Sequence, residues 1–547
     1  MKYPGTSGDD DFTGTSGNDV FYMGQGGNDT VDGGGGNDIF SFGGSFNIND
    51  KVDGGAGTDT LILNGDYSAG LVVGPTALVN VERINLAAGH SYALTFTDGV
   101  IASGQTLIVD ASSLGAGVGE GANISAYNVT GTDTRIVVNA GAATTFFDGG
   151  AGANILNGGT GQNIVNLQRG FDSNDRLNGG SGGSNFLHLT GDYSAGLTIT
   201  GAMLHNFQFL TFFGADDFRV STADAVVAAG KTLNVNASSV AAGHHLIFNG
   251  AHEIDGKFSF TDSAGDDTLI GGAQADFFNM PGGGIDHLSG GGGDDRFGME
   301  NQLDAADRID GGAGTDELDL SGDYSAGLSF KSTTMVNVET LYLNPGGSYR
   351  LIMNDGTVAA GQNLQILGGN LDAAHMLYAD ASKETNGTYF LEGGDGDDTL
   401  IGGQAGNIFV GGLGQDHLIA GAGADVFTYT SGPVDTSTSV DRDIITGFNA
   451  LHDSFDMQYA VSGVDAAVTA GNLSTSHFDA QLAHFIGTGQ LHVGDAVLYT
   501  PDGGNLQGHT FLVVDANGAA GYQAGQDYVF QLESATHLAS LSTSNFT

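Results

Sequence analysis

The chain has 547 residues, of which 15 are basic and 63 acidic, giving a formal net charge of −48. So few Lys and Arg exclude nucleic acid and anionic lipid as partners, and self-repulsion on this scale destabilises a compact state unless cations are bound. A composition of 40 % apolar residues with 32 Phe and 16 Tyr is in turn too apolar for a merely disordered acidic chain.

The acids are 54 Asp against nine Glu, and 94 residues are Gly, which points to turns and not to helix faces. There is no Cys, as suits an oxidising exterior. Met1 to Gly5 runs straight into a repeat without the apolar core of a signal peptide. No apolar run reaches the length needed to span a membrane.

The first block, 1–62, places Asp10, Asp19, Asp29 and Asp38 at spacings of 9, 10 and 9, followed by Asp59 in Gly54-Gly55-Ala56-Gly57-Thr58-Asp59. An apolar residue stands two places after each, namely Phe12, Phe21, Val31, Phe40 and Leu61. This is the nonapeptide Gly-Gly-x-Gly-x-Asp-x-apolar-x. Glycines permit positive φ and a tight loop whose carbonyl oxygens point inward. The aspartate adds a hard carboxylate, and Ca²⁺ takes six to eight such oxygens. The apolar residue fills the core of a short strand. Two nonapeptides make one coil, so each ion is expected between a loop and the loop two further on.

A different unit follows at 63–145 and opens with Gly65-Asp66-Tyr67-Ser68-Ala69-Gly70-Leu71. The same string returns at Gly191–Leu197 and Gly322–Leu328. The frame also holds at Asn80, Asn206 and Asn337, at Asp98, Asp224 and Asp355, and at Gly104, Gly230 and Gly361. The chain therefore reads as three tandem copies of block plus spacer. Val81–Leu86, Thr106–Val109 and Arg135–Val138 read as short strands between turns. The spacers are expected to be wider rungs of a continuing parallel solenoid, with a small β-sandwich as the competing picture. Asp-Tyr-Ser, recurring in one frame, reads as a structural corner and not as a catalytic group.

The second block, 146–189, carries Asn154, Asn163 and Asn185 at the acid's place. A neutral amide lacks the charge that drives calcium affinity, so this block is expected to coil but to bind weakly or not at all. The second spacer is 190–262. The third block, 263–320, has its acids at Asp267, Asp276, Asp286, Asp295 and Asp316, with apolar Leu269, Phe278, Leu288 and Phe297. Asp267 is expected to share an ion with the loop of Asp286, and Asp276 with that of Asp295. The third spacer, 321–391, leads to a fourth block, 392–429, with Asp398, Asp416 and Asp425 and one asparagine, Asn407.

From 430 to 547 the glycine rhythm stops. Asp515-Ala516-Asn517-Gly518 begins like an EF-hand loop, with Asp527 beyond, but lacks the acid at its fifth place and the glycine at its sixth. No catalytic signature is read: His252-Glu253 has no second histidine of a zinc protease, and nothing reads as a Gly-x-Ser-x-Gly nucleophile elbow.

On its nonapeptides the chain resembles the RTX group of secreted calcium-binding proteins of Gram-negative bacteria. Alternation with long β spacers is similar to surface-layer and adhesin-type members. Asp441–Phe448 with Asp453–Asp456 looks like the segment that closes the β-roll in the secreted RTX proteases. The resemblance implies an all-β fold of parallel β-roll blocks alternating with wider parallel β-solenoid spacers, ending in a β-rich secretion region. It implies export through type I secretion machinery from a calcium-poor cytosol and folding outside on several Ca²⁺ ions, roughly two to four per intact block. The expected function is a structural surface protein, with itself or a cell-surface glycan as partner. The alternative is an extracellular polysaccharide epimerase or lyase with RTX modules.

Overall fold

The computed structural model describes residues 1–168, 170–430 and 441–547. Residues 431–440, at the start of the 430–547 region, and Arg169, inside the second block, lie outside the described residues. The chain forms two compact units, Met1–Asp276 and Phe277–Thr547.

The first unit is made of parallel ladders. One runs through Lys2–Pro4, Val20–Tyr22, Ile39–Phe42, Thr60–Leu63, Arg83–Leu86, Thr106–Asp110, Arg135–Asn139, Ala153–Asn157, Arg176–Asn178 and Leu204–His205. A second runs from Tyr67–Val73 through Ser91–Phe96, Gly121–Ser125, Thr144–Asp148, Asn163–Gln168 and Phe186–Thr190 to Lys257–Thr261. Block strands and spacer strands belong to the same ladders: Thr60–Leu63 pairs in register with Arg83–Leu86. The spacers are therefore solenoid rungs, not sandwiches. Strands as short as two or three residues suffice because each buries its alternate side chains only against the rung above and below.

The apolar place of the nonapeptide faces the core. Phe21 and Phe40 stack at 5.1 Å between centroids, and both are fully buried. In the second unit Phe278 stacks on Phe297 at 4.7 Å and Phe409 on Phe427 at 5.2 Å. That unit continues the plan, with Phe277–Met280, Arg296–Met299, Glu317–Leu320, Thr340–Leu343 and onward to Ser454–Met457 as one parallel ladder.

The coil is closed by a different structure. Ile444–Thr446 pairs parallel with Tyr528–Glu533, which joins the antiparallel strands Thr510–Val514 and Asp495–Tyr499. The helix Phe478–Phe485 packs over this hairpin, with Phe478, Leu482, Val497, Phe511 and Val529 in one buried cluster. Arg442 lies over the Phe478 ring at 4.8 Å and donates to Gln531 Oε1 at 3.1 Å, tying the cap to the coil. Among the described residues no helix is long and apolar enough to cross a membrane.

The recurring spacer string is a corner. Tyr67 Oη accepts a hydrogen bond from Phe46 N (3.1 Å) and donates to Gly43 O (2.6 Å), bridging the loop of the preceding coil. Tyr324 does the same between Leu303 N and Glu300 O. Asp66, Asp192 and Asp323 each accept the N–H of the serine two places on at 2.9 Å. Asn80, Asn206 and Asn337 sit at φ of 49°, 59° and 51°, the left-handed region that asparagine tolerates.

Candidate metal centres

The loop aspartates stand one above another in columns, linked by a single repeated bond. The backbone N–H of each donates to Oδ1 of the residue one coil later. Asp10 N reaches Asp29 (3.0 Å) and Asp29 N reaches Asp50 (2.7 Å) on one edge. On the other edge Asp19 N reaches Asp38 (2.8 Å), Asp38 N reaches Asp59 (2.7 Å), and Asp59 N reaches Glu82 Oε2 (2.8 Å). In the second unit the columns are Asp286 to Asp307, Asp295 to Asp316 to Glu339, Asp398 to Asp416 to Asp443, and Asn407 to Asp425 to Asp453. Asp267 and Asp276, at the end of the first unit, accept Leu246 N and Phe258 N, both at 2.6 Å.

Many second carboxylate oxygens turn back to their own loop: Asp276, Asp398 and Asp425 take the N–H four residues earlier at 2.6, 2.6 and 2.8 Å. Others do not. Oδ2 of Asp38, Asp59, Asp316 and Asp416 is buried without a hydrogen-bond partner. The polar atoms nearest them include further oxygens. A Cβ built on Gly33 would stand 2.4 Å from Asp38 Oδ2 and 2.6 Å from Gly54 O, so a carboxylate and a carbonyl converge on a cradle only glycine leaves open. Gly412 and Gly414, at φ of 103° and 105°, face Gly394 O and Gly396 O just as closely. A buried carboxylate without a donor is expensive, and a donor set made wholly of carboxylate and carbonyl oxygen suits a hard divalent cation. The residues present thus fit Ca²⁺.

The electrostatics agree. Burial pushes Asp59, Asp276, Asp398 and Asp425 up to about 6. Asp29, Asp38, Asp267, Asp307 and Asp316 are raised for the same reason. Asp416 is driven to about 9, by burial first and by the Asp443 charge second. Asp19 is the exception, lowered because the Met1 ammonium donates to it.

Of the sequence-read acids, all but the half-buried Asp10 are buried. The columns also contain members that the nonapeptide pattern does not flag: Asp50, Asp175, Asp307, Asp443 and Asp453, and the terminal Glu82, Gln208 and Glu339. Asp50 and Asp307 stand fifteen residues before the first glycine of a spacer and Asp175 sixteen, each in an Asp-x-apolar triplet without the glycine loop. That triplet, with the 21-residue step from the preceding loop, is the signal that could have found them.

The asparagines close their loops differently. Asn154 Nδ2 donates to Gly150 O (3.1 Å), Gly152 O (2.8 Å) and Asp175 Oδ1 (3.0 Å). The loop at Asp515 and Asp527 is a hydrogen-bonded turn: Asp515 Oδ1 accepts Gly518 N (3.0 Å), and Asp527 accepts Asn517 Nδ2 (2.9 Å) and Gln523 N (2.7 Å). Gly179-Gly180-Ser181-Gly182-Gly183 does spell Gly-x-Ser-x-Gly, contrary to the sequence reading, but it lies in the bends between Arg176–Asn178 and Phe186–Thr190 and leads into no helix.

The model of the RTX calcium-binding nonapeptide repeat, in four copies, matches residues 4–40, 21–47, 49–67, 140–173, 259–279, 282–297, 303–324 and 392–427, about a third of the chain. Comparison with curated proteins gives no match. The matched segments contain every sequence-read loop aspartate and, in the second block, Asn154 and Asn163. The chain carries the RTX calcium-binding nonapeptide repeat at several places along its length.

Proposed function

We propose that the chain is a secreted structural protein of the cell surface, S-layer-like or adhesive, that folds on extracellular Ca²⁺ and assembles with itself. The observation that carries this reading is the set of buried carboxylate columns, in which Oδ2 of Asp38, Asp59, Asp316 and Asp416 meets no donor, in a chain of net charge −48. Asp10, Asp19, Asp29, Asp38, Asp59, Asp267, Asp276, Asp286, Asp295, Asp316, Asp398, Asp416 and Asp425 would hold the ions, joined by loop carbonyls and by the column ends Asp50, Asp307, Asp443 and Asp453. Calcium supplies positive charge between acids that otherwise repel. Because the columns exist only in the coil, binding energy becomes folding energy, about 2.7 kcal/mol per site at a hundredfold excess over Kd. The same coupling supports export of an unfolded chain by type I machinery from a calcium-poor cytosol. The unit of construction is block plus spacer, with divisions near 62, 145, 189, 262, 320, 391 and 429.

A second reading, an enzyme on extracellular polysaccharide, is favoured by one feature. A groove of about 420 Å³ on the second block is lined by Tyr127, Asp148, Asn166, Gln168, His188 and Phe213. In it Asn166 Nδ2 donates to Asp148 Oδ1 (2.6 Å) and Asn166 Oδ1 lies 2.9 Å from His188 Nδ1.

Electron microscopy of the purified chain at millimolar Ca²⁺ separates the two. Ordered sheets or filaments that dissolve in chelator are expected. Monomers that cleave or epimerise a glycan would overturn the structural reading in favour of the second.

A further inference from the structure

Asn407 takes the acid's place in the fourth block, among Asp398, Asp416 and Asp425. Its Nδ2 donates to Gly403 O (3.2 Å), Ala405 O (2.7 Å) and Asp425 Oδ1 (2.9 Å). The geometry is that of Asn154: the carbonyls two and four residues back, and the carboxylate one coil on. Asn163 Nδ2 likewise reaches Gly161 O (3.2 Å), Gly179 O (3.0 Å) and Asn185 Oδ1 (2.9 Å), and Asn185 Nδ2 reaches Asn206 O (2.9 Å). Three amides in two units, Asn154, Asn163 and Asn407, thus each place a nitrogen where three oxygens converge.

Exchange that nitrogen for a carboxylate oxygen and the loop loses the donors that bridge it, so that the new oxygen, Gly403 O, Ala405 O and Asp425 Oδ1 face one another. A cation draws such a set together, at calcium–oxygen lengths of roughly 2.3–2.6 Å, slightly shorter than the hydrogen bonds the amide makes. We infer that asparagine at the sixth place of the nonapeptide is a built-in substitute for the ion, so that each such loop closes without calcium.

An independent observation points the same way. The residue seventeen places after the first glycine of each spacer ends a column, and it is Glu82, Gln208 and Glu339 in the three copies. Asp59 N and Asp316 N donate to the glutamates at 2.8 Å, and Asn185 N donates to Gln208 Oε1 at 2.9 Å. The column Asp38, Asp59, Glu82 therefore carries three carboxylates where Asn163, Asn185, Gln208 carries none. Amide replaces acid along the whole line, not at one loop. A line without charge gives a divalent cation nothing to neutralise, and its one donorless atom, Asn163 Oδ1, is neutral. The second block is thus a calcium-independent section of the coil.

This inference rests on the reading that the aspartate loops take Ca²⁺, and its test separates the two. Bound Ca²⁺ is counted on the full chain by equilibrium dialysis for wild type, Asn407→Asp and Asp398→Asn. The expected result is one ion more than wild type for N407D and one fewer for D398N. Thermal melting in excess EGTA should show D398N above wild type and N407D below it, with N407D regaining the difference on adding Ca²⁺. A wild type that binds ions while N407D gains none and melts unchanged in EGTA overturns the amide substitution alone. A wild type that binds no Ca²⁺ overturns the calcium reading itself, and the substitution with it.

Discussion

Within each unit the acidic blocks and the spacers share parallel ladders yet close their corners by different means. In a spacer the chain brings its own donors: Tyr67 bridges Phe46 N and Gly43 O, and the buried Glu253 accepts Gly256 N at Oε1 (3.1 Å) and Val227 N at Oε2 (3.2 Å). In an acidic block one oxygen of the carboxylate takes a backbone N–H while the other can be left with no donor, as at Asp38 Oδ2 and Asp416 Oδ2. The spacer corner is complete when the chain folds. The acidic corner is complete only with a cation, which makes its stability a function of the medium.

That contrast can be broken most widely with pH, because one titration reaches many loops together. Asp59, Asp276, Asp398 and Asp425 have folded-state values near 6, above the roughly 3.9 of an unfolded aspartate. A raised value contributes stability that is fully present below about 4 and lost as pH rises through about 6. Melting in EGTA should therefore fall from pH 4 to pH 7. In millimolar Ca²⁺ the trend should reverse, since the ion needs the ionised carboxylates. Parallel trends in the two media would refute the assignment.

At a single loop, Asp416→Ala should lower stability in saturating Ca²⁺ by about 2.7 kcal/mol for one lost site at a hundredfold excess over Kd. In chelator it should be neutral or stabilising, because it removes a buried oxygen, Oδ2, that meets no donor. Chemical denaturation with and without EGTA would show the change of sign. Tyr324→Phe should cost about 1–2 kcal/mol, by stranding Leu303 N and Glu300 O, and by the same amount in both media. Asn80→Ala, forcing alanine to a φ of 49°, should cost about 1 kcal/mol, again regardless of calcium. A calcium-dependent cost for either spacer variant would blur the distinction.

Much of this was legible in the sequence, because glycine and aspartate spacing encodes both the loop and the apolar strand behind it. Phe21, Phe40, Phe278 and Phe297 lie in the core where the eighth place puts them. The tandem frame found Tyr67, Asn80 and Asp98 as markers without showing what they do, since their partners, such as Phe46 N and Asp53 Oδ1, lie one coil away. Asp50, Asp175 and Asp307 escaped notice because their loops lack glycine: Asp50 Oδ2 accepts Asn47 N and Asp307 Oδ2 accepts Asp304 N, three residues back, where the nonapeptide acid reaches four. The antiparallel cap was illegible for a further reason. Asp495–Tyr499, Thr510–Val514 and Tyr528–Glu533 are buried almost throughout, so they lack the alternation that marks a half-exposed strand.

The most direct measurement of the central claim is hydrogen exchange read by mass spectrometry, on the same chain in millimolar Ca²⁺ and in excess EGTA. Amides of 1–62 and 392–429 should lose protection in EGTA, while those of 163–168, 186–190 and 209–214 keep theirs. Protection that survives EGTA in the acidic blocks, or that collapses equally in both regions, would contradict the account.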